Sequence, residues 1–430
     1  MRSETRTLAR RNAFAVASVF ALFVALNASL VADESWPQFR GPTGQGHTTL
    51  APLPVEWNAT PGEESNVVWR TKIPGVGWSS PSWKDGRVWV TSANAEEATL
   101  HVYAVDLATG EIVLERTVFD KETLGRVHGK NSHASPSCVL EEDRVYVHYG
   151  AHGTACLTDA GEFVWSKVLE HDHSHGPGNS PVLFEDLLIV NCDGRDAQFL
   201  VGLDKMTGDE RWRTARKHVA PDRGKDRIAG IGFSTPLIAT IDGRPQVVSV
   251  GADHVAGYDP RTGAEIWWVS YDGYSLVPRP VIGNGLLFIS TGYDQPKLLA
   301  IRLGGTGDLT EQVVWTMDRD APLNPSPILV DDLLYTVSDR GIAKCVEAAT
   351  GEEVWKERLG GEFSASFVHG DSKLFVTDEN GVTYVLKPGR AFELLAENPS
   401  GARSLATPSP LPGGWLLRTE SELIRVGSKP

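Results

Sequence analysis

The sequence has little cysteine, little methionine and no basic run beyond its first eleven residues. Four cysteines stand apart in 430 residues: Cys138, Cys156, Cys192 and Cys345. None forms a C-x-x-C pair, and no metal-type spacing links them. Cys138, Cys156 and Cys192 lie in apolar, strand-like runs, where buried thiols are the default; a Cys138–Cys156 bridge across two strands stays open. The formal charge is −14. An acidic body repels phosphate backbones and anionic membrane surfaces, so no nucleic-acid partner is expected. No second apolar run is long enough to span a bilayer, so no integral membrane domain is expected once the N-terminal segment is removed. Gly304-Gly305-Thr306-Gly307 lacks the strand–helix context of a phosphate loop.

What is present begins with an export signal. Arg2 to Arg11 form a positive stretch, Ala13 to Leu26 an apolar one, and small residues lead to Ala32 before Asp33. This predicts a signal peptide over 1–32 and a periplasmic or secreted protein, with an uncleaved membrane anchor as the alternative. No cysteine follows the apolar stretch, so no lipid anchor is indicated.

Glycine (43) and tryptophan (13) are abundant, as many short strands joined by tight turns require. One unit recurs. Its starts read Ser80-Pro81, Ser135-Pro136, Ser180-Pro181, Thr235-Pro236, Arg279-Pro280, Ser326-Pro327, Ser364-Ala365-Ser366 and Ser409-Pro410. The prolines from Pro81 to Pro327 follow one another at intervals of 44 to 55 residues, the length of a four-stranded propeller blade with insertions. Each start leads to β-branched and aromatic runs such as Arg87-Val-Trp-Val-Thr91 and Leu286-Leu-Phe-Ile-Ser290.

A second signature is Asp-x-x-Thr-Gly followed by Trp four residues later, as in Asp204 to Gly208 with Trp212 and Asp259 to Gly263 with Trp267. Asp starts a turn and Gly closes it at positive φ. The indole should then land between neighbouring blades, with its N–H on a turn. The structural positions of the repeat are Gly110, Gly208, Gly263 and Gly351 with Trp165, Trp212, Trp267, Trp315 and Trp355; blade 1 carries Leu114 instead of Trp. The last unit offers three strands, and Asn66 to Ile73 resembles an orphan outer strand. Pairing the two predicts an all-β, eight-bladed propeller of four-stranded antiparallel blades over 66–430, its ring closed by an N-terminal strand. Residues 33–65 form an extension on the ring.

With these repeats the chain resembles the PQQ-like β-propeller family, which includes the outer-membrane assembly lipoprotein BamB and the propellers of quinoprotein alcohol dehydrogenases. The likeness covers about 66–427. The opening run Trp36-Pro-Gln-Phe-Arg-Gly-Pro42, with Gly44-Gln45-Gly46, resembles the start of an exported bacterial subgroup. The resemblance implies that quinoprotein relatives stack their cofactor on adjacent cysteines and use an Asp near calcium. This chain has no adjacent cysteines, so bound PQQ is not expected.

Loops joining successive blades, and those between second and third strands, open around the channel, the default ligand site of a propeller. The candidate face is His133, His152, Asp193, Asp253, Arg279, Tyr293, Asp294, Asn324, Asp339 and Arg340, with Arg227, Phe233 and Tyr274 nearby. His133, His152, Asp193 and Asp253, drawn from separate blades, suit a metal or an acid–base pair; Tyr293 and Arg279 suit a sugar or carboxylate. The plainer alternative is that these groups satisfy loop backbone and water. His171, His173 and His175 alternate, so on a strand they would share one face, the pattern of a metal tract. No triad spacing names a catalytic residue. The favoured reading is an exported scaffold for a small molecule, carbohydrate or protein, with no cofactor and a metal ion left open. The alternatives are a hydrolase, lyase or redox enzyme at the channel mouth and a BamB-like envelope assembly factor.

Overall fold

Turn chemistry sets the blades. The connection from innermost to second strand carries positive φ at Asp85-Gly86, Asp242-Gly243 and Asn284-Gly285, the tight hairpin turn for which these residue pairs are suited. Around such turns the computed structural model, which describes residues 35–218 and 230–428, builds eight sheets. The proposed signal segment 1–32 and Arg227 lie outside the described residues. Blade 1 is Ser82–Lys84, Arg87–Asn94, Thr99–Asp106 and Ile112–Asp120, in sequence order from the channel outward. Blades 2 to 7 follow the same plan, starting at Val139, Val182, Leu237, Val281, Ile328 and Val368. Among the described residues, no helix is long and apolar enough to cross a membrane.

Blade 8 closes the ring as expected. Ser409–Leu411, Gly414–Arg418 and Glu422–Gly427 are completed on the outside by Val67–Lys72, antiparallel, with Val67 opposite Val426 and Lys72 opposite Glu422.

The Trp module works between blades. Trp165, Trp212 and Trp355 each face a small residue on their own third strand, namely Cys156, Gly202 and Cys345, beside a register shift. Their indole N–H groups reach the carbonyls of Lys205, Pro260 and Gly389 in the next blade, each at 3.0 Å. Trp69 and Trp315 do the same with Leu107 and Ala348. A Cβ on Gly110, Gly208, Gly263 or Gly351 would collide with the indole of the preceding blade. In blade 1, Leu114 packs on Gly161 instead.

Trp267 departs from the pattern. Its N–H goes to Gln246 Oε1 of its own blade at 2.7 Å. The cause is the Gly-rich segment of blade 5: Gly307–Asp308 adds a fifth, parallel strand along Trp267 and Trp268 and displaces the usual turn. All four cysteines are free and buried, so the Cys138–Cys156 bridge does not form.

Candidate functional site

Two residues before each innermost strand the chain reaches the channel. The eight positions are Ser80, Ser137, Ser180, Thr235, Arg279, Ser326, Ser366 and Thr407. Blades 2 and 8 are thus two residues out of step with the repeat starts expected at Ser135 and Ser409. The backbone N–H of Ser80 donates to Ser137 Oγ at 3.0 Å, Ser137 to Ser180 and Ser180 to Thr235 at 2.9 Å. On the other arc Arg279 donates to Ser326, Ser326 to Ser366 and Ser366 to Thr407, each at 2.9 Å. Six of the seven hydroxyls therefore satisfy a buried donor of the neighbouring blade.

Behind this hydroxyl ring the N-terminal extension plugs the channel. Trp36 pairs with Trp83, Pro37 O accepts from Leu140 N–H, and Gly46 O accepts from His369 N–H. Between them Phe39 reaches the cavity. Arg40 donates to the carbonyls of Gln45 (3.0 Å) and Pro327 (2.8 Å), and Arg279 to those of Phe39 (2.6 Å) and Pro236 (2.9 Å). Gly44 and Gly46 are required here, at φ 69° and 81°, because a Cβ at either would strike Arg279 or Arg40. Both guanidiniums are fully buried without a carboxylate partner among the described residues. Burial pulls each down to about 9, and for Arg40 the charge of Arg279 adds to this.

In front of the ring lies a cavity of about 700 Å³. Its base is the seven ring hydroxyls and Phe39; its walls are Trp78, His128, Lys130, Asn131, His175, Phe233, Tyr274 and Tyr293, with Asn324, Asp339, Arg340 and Glu362 at one side. Tyr274 and Tyr293 meet edge to face at 6.0 Å, and Tyr293 stands 58% exposed at the mouth. Lys130 spans from the blade 1–2 connection to Glu362 at 2.8 Å and Glu379 at 2.9 Å. Asp339 accepts from the N–H groups of Leu323 and Asn324 and from the Asn324 side chain. Burial raises its pKa despite these donors.

Of the expected face, Tyr293, Asn324, Asp339 and Arg340 line the cavity, joined by His175. Arg279, at its ring position, turns its guanidinium onto the plug, donating to Phe39 O. Asp193 is clamped by Arg216, Nε to Oδ1 at 2.6 Å and the terminal nitrogen to Oδ2 at 2.8 Å, with Ser249 and Asn191 continuing the network. Asp253, at φ 67°, makes a turn, its N–H donating to Gly273 O. Asp294, at φ 83°, turns the loop beside Tyr293.

His133, His152, His173 and His171 form a file of rings, each centroid 5.5 Å from the next, behind the cavity wall. Burial lowers all four, His152 and His173 to about 4. The expected common face of His171, His173 and His175 does not form, because the segment is not a strand. His175 turns away to stack on Phe233 and pack against His128. Among the described residues no three His, Cys, Asp or Glu groups stand together as a metal site.

The sequence reading overlooked Lys130, Trp78, the Phe39 base and the part played by the ring hydroxyls. The recurring Ser or Thr at the blade starts was the available signal for the last.

A family model described as "Outer membrane protein assembly factor BamB" (PQQ_2) matches residues 57–249 and 306–391. The chain belongs to this family. The crystal structure of BamB from Moraxella catarrhalis superposes with TM-score 0.60 at 14% identity, covering 84% of this chain and 99% of that one. A computationally designed protein, Ika8, reaches 0.58 at 12% identity over 84% of this chain and 100% of its own. A quinohemoprotein alcohol dehydrogenase from Comamonas testosteroni gives 0.47 at 12% identity, over 94% and 82%. No curated protein matches the sequence significantly. At these identities the likeness of this BamB-family propeller to solved structures is one of fold.

Proposed function

We propose that this BamB-family propeller is an exported binding protein that holds a small polar molecule in its channel cavity. The observation that carries the reading is the cavity itself. It is preformed, closed behind by the Trp36–Gly46 plug, and lined by converging hydroxyls and the rings of Phe39, Trp78, Phe233, Tyr274 and Tyr293. Such a concave site with a few placed polar groups is the usual form of a ligand pocket. Export rests on the 1–32 segment, and sequencing the mature N-terminus should find Asp33.

We assign no bound PQQ to this cavity; this is supported by a lining that contains none of the four cysteines and by the lack, among the described residues, of three or more His, Cys, Asp or Glu groups placed for a metal ion. The enzyme reading has less support, since His133, His152, Asp193 and Asp253 all lie outside the cavity lining. An envelope-assembly role is the second reading, favoured by the family match.

Native mass spectrometry with metal analysis, on protein from its own compartment, separates these. A retained small molecule is the expected result. A protein partner co-purifying with an unoccupied cavity would favour assembly instead.

A further inference from the structure

We infer that the cavity takes its ligand by an anionic oxygen group, a carboxylate, sulfate or phosphate, set on the hydroxyl ring above Arg40 and Arg279. The inference rests on the binding-cavity reading and names the chemistry of the ligand.

The first ground is an imbalance of donors. Ser137, Ser180, Thr235, Ser326, Ser366 and Thr407 each accept a backbone N–H through the side-chain oxygen. Among the described residues none of these hydroxyls finds an acceptor for its own proton, and all six line the cavity. A hydroxyl that has accepted still has one O–H to give. Six such donors around one axis call for a group that only accepts, and an ionised oxyacid is that group.

The second ground is charge. Among the described residues Arg40 and Arg279 spend their donors on backbone carbonyls alone, while Nε of both and one terminal nitrogen of Arg40 have no acceptor. Buried charges are ordinarily paired. Two uncompensated cations in a poorly screened interior raise the potential at the cavity base. They do so in a chain of net charge −14, so the positive basin is local.

The acids at the mouth are offset by cations there: Lys130 pairs with Glu362 and Glu379, Arg403 stands 4.0 Å from Glu379, and Arg340 lines the cavity beside Asp339. A neutral sugar could use the hydroxyls but would leave the arginine charge unanswered. Trp78, Phe233, Tyr274 and Tyr293 then flank whatever the anionic group is attached to.

Titration calorimetry at fixed ionic strength tests this with D-glucuronate, inorganic sulfate and inorganic phosphate against D-glucose. Glucuronate should bind at least about tenfold more tightly than glucose, and added salt should weaken it. The ranking of the three anions tells which oxyacid the ring prefers. Arg279→Gln should cost glucuronate about tenfold more than it costs glucose. Since Arg279 also anchors Phe39, Arg40→Gln, which removes the second buried charge and no hydroxyl of the lining, supplies the same comparison if the first does not fold. Equal affinity for glucuronate and glucose overturns the inference, as does anion binding indifferent to both variants. A neutral molecule retained by the native protein leaves the binding cavity standing and removes the anionic preference. No retained molecule and no binding by any probe removes both.

Discussion

Trp212→Ala should be the most damaging substitution among the tryptophans whose N–H bonds to the next blade. The indole is wedged between blades 3 and 4, with Gly202 of its own sheet beneath it and Gly263 of the next blade against its outer edge. Only 8% of the residue is exposed, and its N–H is bonded to Pro260 O at 3.0 Å. Truncating a buried Trp costs about 3–5 kcal/mol, of which the lost hydrogen bond contributes about 1. Unfolding entropy of about 2.1 cal/mol/K per residue makes each kcal/mol worth roughly 1 °C in a ring of this size, so Tm should fall by about 3–5 °C. Trp355 is partly exposed, and its alanine variant should lose less. Gly263→Ala attacks the same contact from the other side. Its new Cβ would stand 2.4 Å from the indole on a backbone at φ 70°, so it too should lower Tm. Calorimetric melting at one scan rate measures all three. A harmless Gly263→Ala beside a damaging Trp212→Ala would refute the wedge; equal losses at Trp212 and Trp355 would refute the ranking by burial.

Other consequences are open to measurement. Deleting 66–72 removes the outer strand of blade 8 and bares the Glu422–Gly427 edge, so the product should aggregate; a soluble variant of unchanged Tm would show that this strand is not the closure. Arg216→Met strands a buried Asp193 carboxylate and should cost about 3–5 kcal/mol. Adding Asp193→Leu should recover part of it in denaturant melts, and a double variant no better than the single would argue against the pair.

Acid should weaken the fold through its buried imidazoles. Burial lowers His148 to about 3, with His171 and His173 adding to the effect, below the unfolded value of about 6.5. Its stabilising share is complete above about pH 6.5 and is lost progressively as pH falls towards 3, by up to about 1.4 kcal/mol per pH unit. Tm should therefore drop between pH 7 and 5, and His148→Gln should flatten that drop; a profile identical in both proteins would contradict the assignment.

The blades were legible because their signals are local. Asp204 to Gly208 makes a turn by itself, and Trp212 follows at a distance set by strand geometry. The orphan strand around Trp69 could be matched to the unfinished last repeat for the same reason. The site was legible only in part. Tyr293, Asn324, Asp339 and Arg340 sit in loops whose face the repeat predicts, whereas Asp193 and Asp253 occupy equally plausible loops and turned inward to hold the fold. Nothing near Asp193 in the sequence announces Arg216, which reaches it from the end of the outermost strand.

The sequence alone therefore determined the number of sheets, the order of their repeat strands and where the circle closes, since each is signalled by residues a few positions apart, even where the strands that pair, Val67–Lys72 and Glu422–Gly427, stand at opposite ends of the propeller. Tertiary structure decided which polar groups share the channel. A Ser at a blade start is only a turn residue until the neighbouring blade brings an N–H to its oxygen, and that partner lies a whole repeat away. Arg40 sits in a segment without periodicity and acquires its meaning only when the Trp36–Gly46 plug seats it beside Arg279. Charge and hydrogen bonding act through space, and the ring puts distant parts of the chain within their reach.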